Sequence, residues 1–422
     1  MHAERLEPAV PVGTDPRTRA RALARVHAEF LGGQRPHQRP RALISDSWRR
    51  VLGAGMRPDR PREAVPLEER DLRHRREHTR LARVLPALRG SLAALAEQAD
   101  NIMVVADADG HVLWREGAAQ VRRRADRLGF APGSSWREDV VGTNAIGTAL
   151  VVGRAVQVYS AEHFLCSHHP WTCSAAPVRD PRSGAVVGAV DLSGPVSTVH
   201  PSTLALVGAA ARLAESELVQ DHRAELERLR AVAAPVLAGL RGRALVTDPH
   251  GWVAAAGGVA PVDRVLLPDR VDQRTWLPAF GPCVCEPVPG GWLIRLDDDG
   301  PVRPCEVVLD LRRGGQAWLR VHADSGSWQQ RLTPRHAEVL YVLARHPGGR
   351  SAAQLAADLF GDADRAVTVR AEMSRLRRLF AGMLAHRPYR FAESVRVRVL
   401  VPDDGPVLPA SLAPEVRRLR GL

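Results

Sequence analysis

Two cysteines and three histidines lie within twelve residues of this chain, in the stretch EHFLCSHHPWTC that runs from Glu162 to Cys173. Thiolates and imidazoles are common zinc ligands, and a thiol beside an imidazole can act as a nucleophile. The stretch also suits a small-molecule pocket, in which Phe164 and Trp171 form an apolar wall and Glu162 and His163 make polar contacts. A purely structural role is the fourth interpretation, because buried polar side chains need hydrogen-bond partners.

The spacing of the possible ligands argues against a metal centre. The candidates are Cys166, His168, His169 and Cys173. Their pattern, C-x-H-H-x3-C, lacks the C-x2-C or H-x3-H spacing of common zinc sites, and neighbouring histidines in a strand point to opposite faces. We therefore expect no metal and no catalytic residue. A redox role of Cys166 and Cys173 is kept as an alternative, since a nearby histidine can lower a thiol pKa.

The composition excludes several classes of protein. All 59 Lys and Arg residues are arginine, so the chain has no P-loop lysine, no kinase strand lysine and no lysine for a pyridoxal Schiff base. Five cysteines in 422 residues do not form a disulfide framework, and no apolar run approaches the ~20 residues that span a bilayer. We expect a cytoplasmic protein that contacts no membrane and needs no cofactor.

Positive charge is concentrated at the two ends of the chain. Residues 1–100 hold 20 arginines against 13 acidic residues, and residues 331–422 hold 16 against 9, so each end carries +7. The middle carries −2, which completes the net charge of +12. A near-neutral centre between basic ends indicates a ligand-binding or regulatory region joined to a part that contacts a polyanion.

Apolar periodicity predicts two long helices on either side of a group of strands. The apolar positions, three or four residues apart, are Leu81, Leu85, Leu88, Leu92, Leu95 and Ala99 in the first helix and Leu204, Val207, Ala211, Ala214 and Leu218 in the second. Pro86 is expected to kink or end the first helix. Between the helices, NIMVVADADGHVLWREG and the segment around 180–184 predict hairpins. The helices are expected either to pair across a two-fold axis or to pack on their own sheet.

The C-terminal segment predicts three helices with clear ends. Thr333 before Pro334 indicates an N-cap with proline in the first turn. Ser351 caps a second, short helix, which Gly361 terminates. The third helix has one apolar face, formed by Val369, Met373, Leu376 and Phe380.

Arginines occupy the other faces of the third predicted helix. The next segment, PYRFAESVRVRVLVPDD, predicts a hairpin in which arginine alternates with valine. Three helices followed by such a hairpin are typical of a winged helix, which places its third helix in the DNA major groove and its wing on phosphates. The predicted DNA contacts are Arg370, Ser374, Arg375, Arg378, Arg396 and Arg398. The alternative is a helical module that docks on another protein.

Four motifs follow one another in the middle of the chain. They are G-T-N-x-I-G-T-A at Gly142–Ala149, E-H-F at Glu162–Phe164, W-x-C-S-A-A-P at Trp171–Pro177 and G-x-x-D-L-S-G at Gly188–Gly194. In these motifs the chain resembles the GAF sensor domain of acetoin-catabolism activators. The earlier ISDSWRR is similar to the segment that precedes this domain, so the resemblance covers about residues 40–220.

The resemblance implies a sensor that binds a small-molecule effector. The residues expected at its pocket are Asn144, Tyr159, Glu162, His163, Phe164, Trp171 and Cys173. The activators continue into an ATPase, which this chain cannot form without a Walker lysine. Its LTPRHAEVL and VTVRAEMSRLRRL elements are instead similar to the winged-helix end of GAF-containing regulators from high-G+C bacteria. The resemblance therefore implies a one-component regulator that acts without ATP.

These observations predict an α+β, multidomain protein. Its predicted parts are a mobile N-terminal segment (1–40), a helical region (41–94), a GAF, PAS-like antiparallel sheet with flanking helices (95–220), a connecting helix or linker (221–243), a small β-rich domain (244–325), a winged helix (330–402) and a C-terminal tail (403–422). The predicted function is transcriptional regulation by a homodimer that binds DNA under the control of a small-molecule effector. The alternatives are a GAF-type thiol enzyme similar to methionine sulfoxide reductases, a redox- or metal-sensing regulator, and a protein-docking adaptor.

Overall fold

The structure is a computed structural model that describes residues 7–59, 62, 65–268, 270–297, 305–313, 316–323, 326–380, 383–393, 395–403 and 405–420. The chain divides into two units, Met1–His222 and Arg223–Leu422, each with its own apolar cores. Both units combine helices with mostly antiparallel strands, so the predicted α+β class is confirmed. None of the helices in the described part of the chain is long and apolar enough to cross a membrane.

The first unit is built on a five-stranded antiparallel sheet. Its strands are β1 (Ile102–Asp107), β2 (Val112–Gly117), β3 (Val156–Tyr159), β4 (Trp171–Arg179) and β5 (Val186–Pro195), in the spatial order β2-β1-β5-β4-β3. The β1–β2 and β4–β5 hairpins confirm the two predicted from turn sequences. The helices are α1 (Pro16–Leu31), α2 (Ala42–Gly53), α3 (Glu69–His78), α4 (Leu81–Gln98), α5 (Ala119–Asp126), α6 (Glu138–Val141), α7 (Ala145–Val152) and α8 (Pro201–Gly239).

Alternation of apolar side chains gives this sheet two buried faces. On β1, Ile102 and Val104 belong to the core shared with α1, α2 and α7. Met103 and Val105 belong to the opposite core, shared with α4 and α8. The two long helices therefore pack on the sheet of their own chain, which is one of the two arrangements that their spacing predicted.

Helix α4 departs from its sequence prediction at one position of its buried face. Pro86 lies inside the helix, so of the two expected outcomes, a kink or a helix end, the helix end does not occur. Leu95, which was expected on the buried face, is 39% exposed, and Ala96 is buried instead. An α-helix has 3.6 residues per turn, so its buried stripe drifts away from a strict seven-residue pattern. After Leu92 the stripe continues at the fourth residue, not the third.

The N-terminal segment is the first correction to the predicted domains. Residues 1–40 were expected to be mobile, but residues 16–31 form α1. Asp15 caps this helix by accepting a hydrogen bond from the Thr18 amide at 2.8 Å, and Pro16 occupies its first position. Leu23 and Val26 are buried against the first unit. The arginines on the exposed face of α1 obscured this short apolar stripe in the sequence.

The described residues of the second unit include two larger sheets, the C-terminal part of α8 and four further α-helices. One sheet comprises β6 (Ala244–Thr247), β7 (Val253–Gly257), β8 (Arg274–Leu277), β9 (Gly281–Val288) and β10 (Gly291–Leu296), in the order β7-β6-β10-β9-β8. The other comprises β11 (Cys305–Arg313), β12 (Gln316–Ala323), β13 (Gly326–Leu332) and β16 (Val395–Leu400), in the order β13-β12-β11-β16. A short pair, β14 (Leu384–Ala385) and β15 (Arg390–Phe391), completes the strands. The helices are α9 (Pro334–Arg345), α10 (Ala352–Phe360), α11 (Ala366–Phe380) and α12 (Pro414–Leu419).

The three predicted C-terminal helices are confirmed together with their caps. Thr333 accepts a hydrogen bond from the His336 amide at 3.1 Å, and Ser351 accepts one from the Gln354 amide at 3.2 Å. Gly361 ends α10 in the left-handed conformation that favours glycine. The predicted apolar face of α11, from Val369 to Phe380, is buried.

Two predictions about the strands near the C-terminus are wrong. The hairpin expected from PYRFAESVRVRVLVPDD is absent as such, because β15 pairs with β14 while β16 pairs in parallel with β11. The predicted boundary between 325 and 330 also falls within one sheet, since β11–β13 share a sheet with β16 and a core with α9–α11. These pairings join residues about ninety positions apart, which local patterns cannot reveal.

The predicted C-terminal tail contains α12, which packs on α9 and α10. Val416 is buried in the core of these helices. Glu415 lies 2.7 Å from the Nε2 atom of His346, and with Arg418 it forms a second ion pair at 2.6 Å. Residues 414–419 are therefore part of the folded unit.

Candidate functional site

The E-H-F motif in the first unit is held by the N-terminal helices. Arg41, directly before α2, donates to both carboxylate oxygens of Glu162, at 2.9 and 2.6 Å. The indole Nε1 of Trp48 donates to the backbone oxygen of Glu162 at 3.0 Å. His27 of α1 donates from Nε2 to the backbone oxygen of Phe164, also at 3.0 Å. Sequence reasoning missed these partners because none of them is close to the motif in the chain.

The seven residues predicted at the effector pocket are all buried, and none is more than 7% exposed. Their polar groups bond within the protein. Asn144 caps α7 by accepting from the Gly147 amide at 2.8 Å, and the Tyr159 hydroxyl donates to the backbone oxygen of Pro16 at 2.9 Å. None of the seven lines the groove of about 380 Å³ formed by residues of α2, α6, α7 and the β1–β2 turn. Their geometry matches the structural interpretation, and contact with an effector stays a prediction.

The histidines of the cysteine-rich stretch lie in a turn before β4, not in a strand. His168 stacks on Trp136, with ring centroids 5.1 Å apart, while the rings of His169 and His27 are perpendicular, with centroids 4.8 Å apart. Burial, with a contribution from neighbouring histidines, lowers the pKa of His163 to about 3 and the pKa values of His168 and His169 to about 4. All three imidazoles are therefore neutral at physiological pH.

The two cysteines of the stretch have different surroundings. Cys166 is exposed and Cys173 is buried, and both thiols are free. Burial, and next the charge of Asp191, raises the pKa of the Cys173 thiol. A thiol with a raised pKa is a poor nucleophile at neutral pH, so the geometry does not favour Cys173 as a reaction centre.

Asp191 is a buried acid that the sequence analysis did not single out. It lies on β5 within the fourth motif and is fully buried. Ser193 donates to its Oδ2 atom at 2.5 Å, and Oδ1 has no hydrogen-bond partner among the described residues. Thr148 of α7, which packs on β4 and β5, also has a buried hydroxyl without a described partner. Such groups are uncommon in folded proteins.

We expect Asp191 to make the stability of the first unit depend on pH. Burial raises its pKa from 3.8 to about 8, so the folded chain keeps a proton that the unfolded chain loses. The contribution of this proton to the free energy of unfolding is fully present below pH 3.8. It decreases as the pH rises to about 8, by up to about 1.4 kcal/mol for each pH unit. Denaturant unfolding of the wild type and Asp191→Asn should give curves that separate across this window, with the variant increasingly the more stable. Asp46→Asn, at an exposed position of α2, is the matched control; equal pH dependence of all three proteins would contradict the expectation.

A basic cleft lies between α11 and the loop that follows it in the second unit. Its volume is about 830 Å³, and its lining contains five arginines, one histidine and no carboxylate. The basic residues are Arg350, Arg370, Arg377, Arg378, Arg387 and His386. Arg350 is paired with Asp358 at 2.9 Å, so the positive potential of the cleft comes from the other four arginines. A concave surface of this kind attracts polyanions such as nucleic-acid phosphates.

The predicted DNA contacts on α11 are exposed, but they do not face one direction. Arg370, Ser374 and Arg378 recur every four residues and line the cleft. Arg375 does not line it and instead donates to Glu372 at 2.6 Å. The sequence analysis assigned these four residues to one DNA-binding surface, because the position of the Glu372 carboxylate beside Arg375 could not be predicted from the sequence.

The two arginines predicted on the wing are exposed on β16 and alternate with less exposed valines. Arg398 lies 3.6 Å from Glu306 on the neighbouring strand β11, whereas Arg396 forms no ion pair with any of the described residues. Sequence reasoning missed Arg350, Arg377 and Arg387 in the cleft. The only signal for them was the net charge of +7 over residues 331–422.

Comparisons with known proteins point to transcriptional regulators. A family model described as the N-terminal domain of MimR matches residues 22–216. The uncharacterized 47.3 kDa protein in the thcA 5′ region of Rhodococcus erythropolis is 31% identical over 98% of this chain and 82% of its own length. This similarity extends through both units.

Two activators match over part of the chain. The acetoin dehydrogenase operon transcriptional activator AcoR of Bacillus subtilis is 34% identical over 44% of this chain and 31% of its own length. The propane 2-monooxygenase operon transcriptional activator MimR of Mycolicibacterium smegmatis is 30% identical over 56% of this chain and 38% of its own length. The predicted resemblance to acetoin-catabolism activators is thereby confirmed for the sensor region, and the chain spans less than half the length of these two relatives.

Proposed function

The chain belongs to the same family as the 47.3 kDa protein in the thcA 5′ region of Rhodococcus erythropolis, and we propose that it is a ligand-responsive, one-component transcriptional regulator. The observation that carries this proposal is the basic cleft beside α11, whose lining holds five arginines, of which only Arg350 is paired with a carboxylate among the described residues. The proposal assigns DNA binding to the second unit and effector sensing to the first. It includes neither an ATPase step nor catalysis.

The DNA-binding part comprises α9, α10, α11 and the sheet β13-β12-β11-β16, which share one core. In this proposal they form a winged helix that extends from about residue 305 to residue 400. Residues 244–296 form the neighbouring sheet, from which Leu266 and Trp276 pack into the same core. Arg370, Ser374 and Arg378 enter the major groove, while Arg396 and the arginines beside α11 contact phosphates. This division differs from the sequence prediction because β11 pairs with β16, and β12 and β13 belong to the same sheet.

The effector site of the proposal is the polar interior of the first unit, a GAF domain over about 95–220. Asp191 is neutral at physiological pH because burial raises its pKa to about 8, so its carboxyl group can both donate and accept hydrogen bonds. A neutral buried carboxyl group of this kind suits a small molecule with a hydroxyl or carbonyl group. A charged carboxylate metabolite would bind less favourably in this desolvated site.

Signal transfer in the proposal is a population shift between two arrangements of a homodimer. In this proposal the effector changes how α8 packs in the core that it shares with β1 and β5 of the first unit. Dimerisation allows two α11 helices to read two half-sites, which raises affinity through effective concentration.

The test is a gel shift with the full-length protein and the DNA upstream of its own gene. We expect the logarithm of the association constant to fall linearly with the logarithm of the salt concentration, with a slope of roughly −0.9 per phosphate contacted. An unrelated duplex of the same length is the control and should bind more weakly at every salt concentration. Failure to shift either DNA, even at low salt, would contradict the proposal; turnover of a small sulfoxide with a dithiol would favour the thiol enzyme, and a stable protein complex alone would favour the adaptor.

A further inference from the structure

Three possible metal ligands meet on the surface of the first unit, although they come from distant parts of the chain. His27 lies on α1, and Cys166 and His169 lie in the turn between β3 and β4. One ligand atom from each residue lies within 4.8 Å of the corresponding atoms of the other two. His27 is buried, His169 is partly buried and Cys166 is exposed, so the cluster is fixed from within and open on one side.

The hydrogen bonds of the two histidines leave one nitrogen of each ring free to bind a cation. His27 donates from Nε2 to the backbone oxygen of Phe164 at 3.0 Å, so its Nδ1 atom carries the lone pair. The ring of His169 bonds to the backbone oxygen of His163, while its own Nε2 atom is buried and has no partner among the described residues. Histidines that bind metals usually donate their second ring N–H to such an oxygen, which orients the ring.

We infer that His27, Cys166 and His169 bind a divalent transition-metal ion of the zinc, cobalt or iron type. Two imidazoles and one thiolate are ligands that these ions prefer, whereas calcium and magnesium require oxygen ligands. Binding replaces the thiol proton of Cys166, which is released to the solvent, by the metal–sulfur bond. The fourth coordination position faces the open side of the cluster, beside the exposed Cys166.

The inference removes the objection raised by the sequence. The spacing of Cys166, His168, His169 and Cys173 did not match a metal site, and among the described residues only Cys166 and His169 of these four come together. The third ligand, His27, precedes them by more than one hundred positions. The site therefore depends on α1, whose formation the sequence analysis did not predict.

A second group of potential ligands carries no such inference. Asp107, Asp109 and His111 also lie close together on the β1–β2 hairpin. However, a nitrogen of Arg75 lies 2.7 Å from Asp107 and 2.8 Å from Asp109. The guanidinium already supplies the positive charge that the two carboxylates require.

A bound ion would connect α1 to the turn before β4. The same turn region is already tied to the N-terminal helices through Glu162 and Phe164. Metal binding would therefore stabilise the packing of α1 against this turn, since a ligand that binds only the folded arrangement favours it by mass action. This consequence concerns the first unit alone and is independent of DNA binding.

The test is a cobalt titration of the full-length protein after treatment with a chelator. We expect one equivalent of Co²⁺ to bind, with a sulfur-to-cobalt charge-transfer band, and one equivalent of Zn²⁺ to displace it. Cys166→Ser should abolish the charge-transfer band and weaken binding by more than about 100-fold, because loss of a ligand exceeds the 10–100-fold effect of second-shell changes. His169→Gln should weaken binding to a similar degree.

Two control variants match the chemistry of the test positions. Cys285→Ser removes a cysteine from the second unit, and His78→Gln removes an exposed histidine from α3. Both should bind cobalt as the wild type does. Since Cys166 is exposed, circular dichroism should show that Cys166→Ser is folded. Absence of a bound equivalent in the wild type, or unchanged binding and spectrum in folded Cys166→Ser, would overturn the inference.

Discussion

Replacing Arg370 and Arg378 together with alanine should remove most of the affinity of the protein for its target DNA and leave its fold unchanged. Both side chains are exposed on α11 and line the basic cleft, and no ion pair holds either of them among the described residues. Their guanidinium groups are therefore available to phosphates or guanine edges. Removing exposed side chains of this kind changes folding stability little, usually by less than about 0.5 kcal/mol.

The size of the loss distinguishes the two kinds of contact. An arginine that binds a guanine edge contributes about 1–3 kcal/mol and its loss relaxes specificity at that base pair. An arginine that binds a phosphate weakens all sequences equally, and its loss reduces the salt slope by about one. Fluorescence anisotropy with the target duplex and single-base variants, at several salt concentrations, measures both effects.

Two further arginines serve as controls for this experiment. Arg375→Ala lies on the same helix, but its side chain is paired with Glu372 and lies outside the cleft, so we expect a smaller loss than for Arg378→Ala. Arg122→Ala removes an exposed charge from α5 in the first unit and should leave DNA binding unchanged. If Arg122→Ala and the double variant lose the same affinity, net charge and not the α11 surface determines binding.

Local signals in the sequence predicted the helices of the second unit well. The caps at Thr333, Ser351 and Gly361 are where the sequence placed them, because a cap depends on residues only a few positions apart. The buried face of α11 follows from the helical repeat alone. The same repeat placed Arg370 and Arg378 outside the buried face of the helix. It could not show that Arg375 pairs with Glu372.

Long-range pairing explains what the sequence did not predict. The parallel pairing of β16 with β11 depends on two strands about ninety residues apart, and the sequence of either strand fits a hairpin as well. The anchoring of Glu162 by Arg41 joins residues 121 positions apart. For the same reason the spacing of the cysteine-rich stretch indicated no metal, since His27 was missing from the pattern.

Replacing Arg41 with methionine should lower the free energy of unfolding of the first unit by about 3–5 kcal/mol, the usual cost of breaking a buried ion pair. The Arg41 side chain is 9% exposed and that of Glu162 is 1% exposed. Arg41 also donates to the backbone oxygens of Glu7 and Gln157, at 2.8 and 2.5 Å. Burial acts to lower the pKa of Arg41, but the attraction of Glu162 outweighs it and the pKa is raised. The variant leaves the Glu162 carboxylate buried without its cation.

Arg49→Met is the matched control, because Arg49 forms only a surface pair with Asp46, in which both side chains are more than half exposed. Such a pair contributes about 0–1 kcal/mol, so this variant should unfold at nearly the wild-type denaturant concentration. Urea unfolding followed by circular dichroism measures all variants under the same conditions. A loss for Arg41→Met no larger than that for Arg49→Met would show that the ion pair does not hold the N-terminal helices to the motif.

The double variant Arg41→Met with Glu162→Gln tests whether the cost comes from the unpaired charge. Each single change leaves one partner buried without the other, whereas the double change leaves two neutral side chains. We therefore expect the double variant to lose less stability than the sum of the single variants, with a coupling energy of up to about 3 kcal/mol. Additive losses would instead mean that Arg41 acts mainly through the backbone oxygens of Glu7 and Gln157, which the double variant still leaves without a donor. Either result separates the stability that Arg41 gains from the Glu162 carboxylate from the stability that it gains from the backbone oxygens of Glu7 and Gln157.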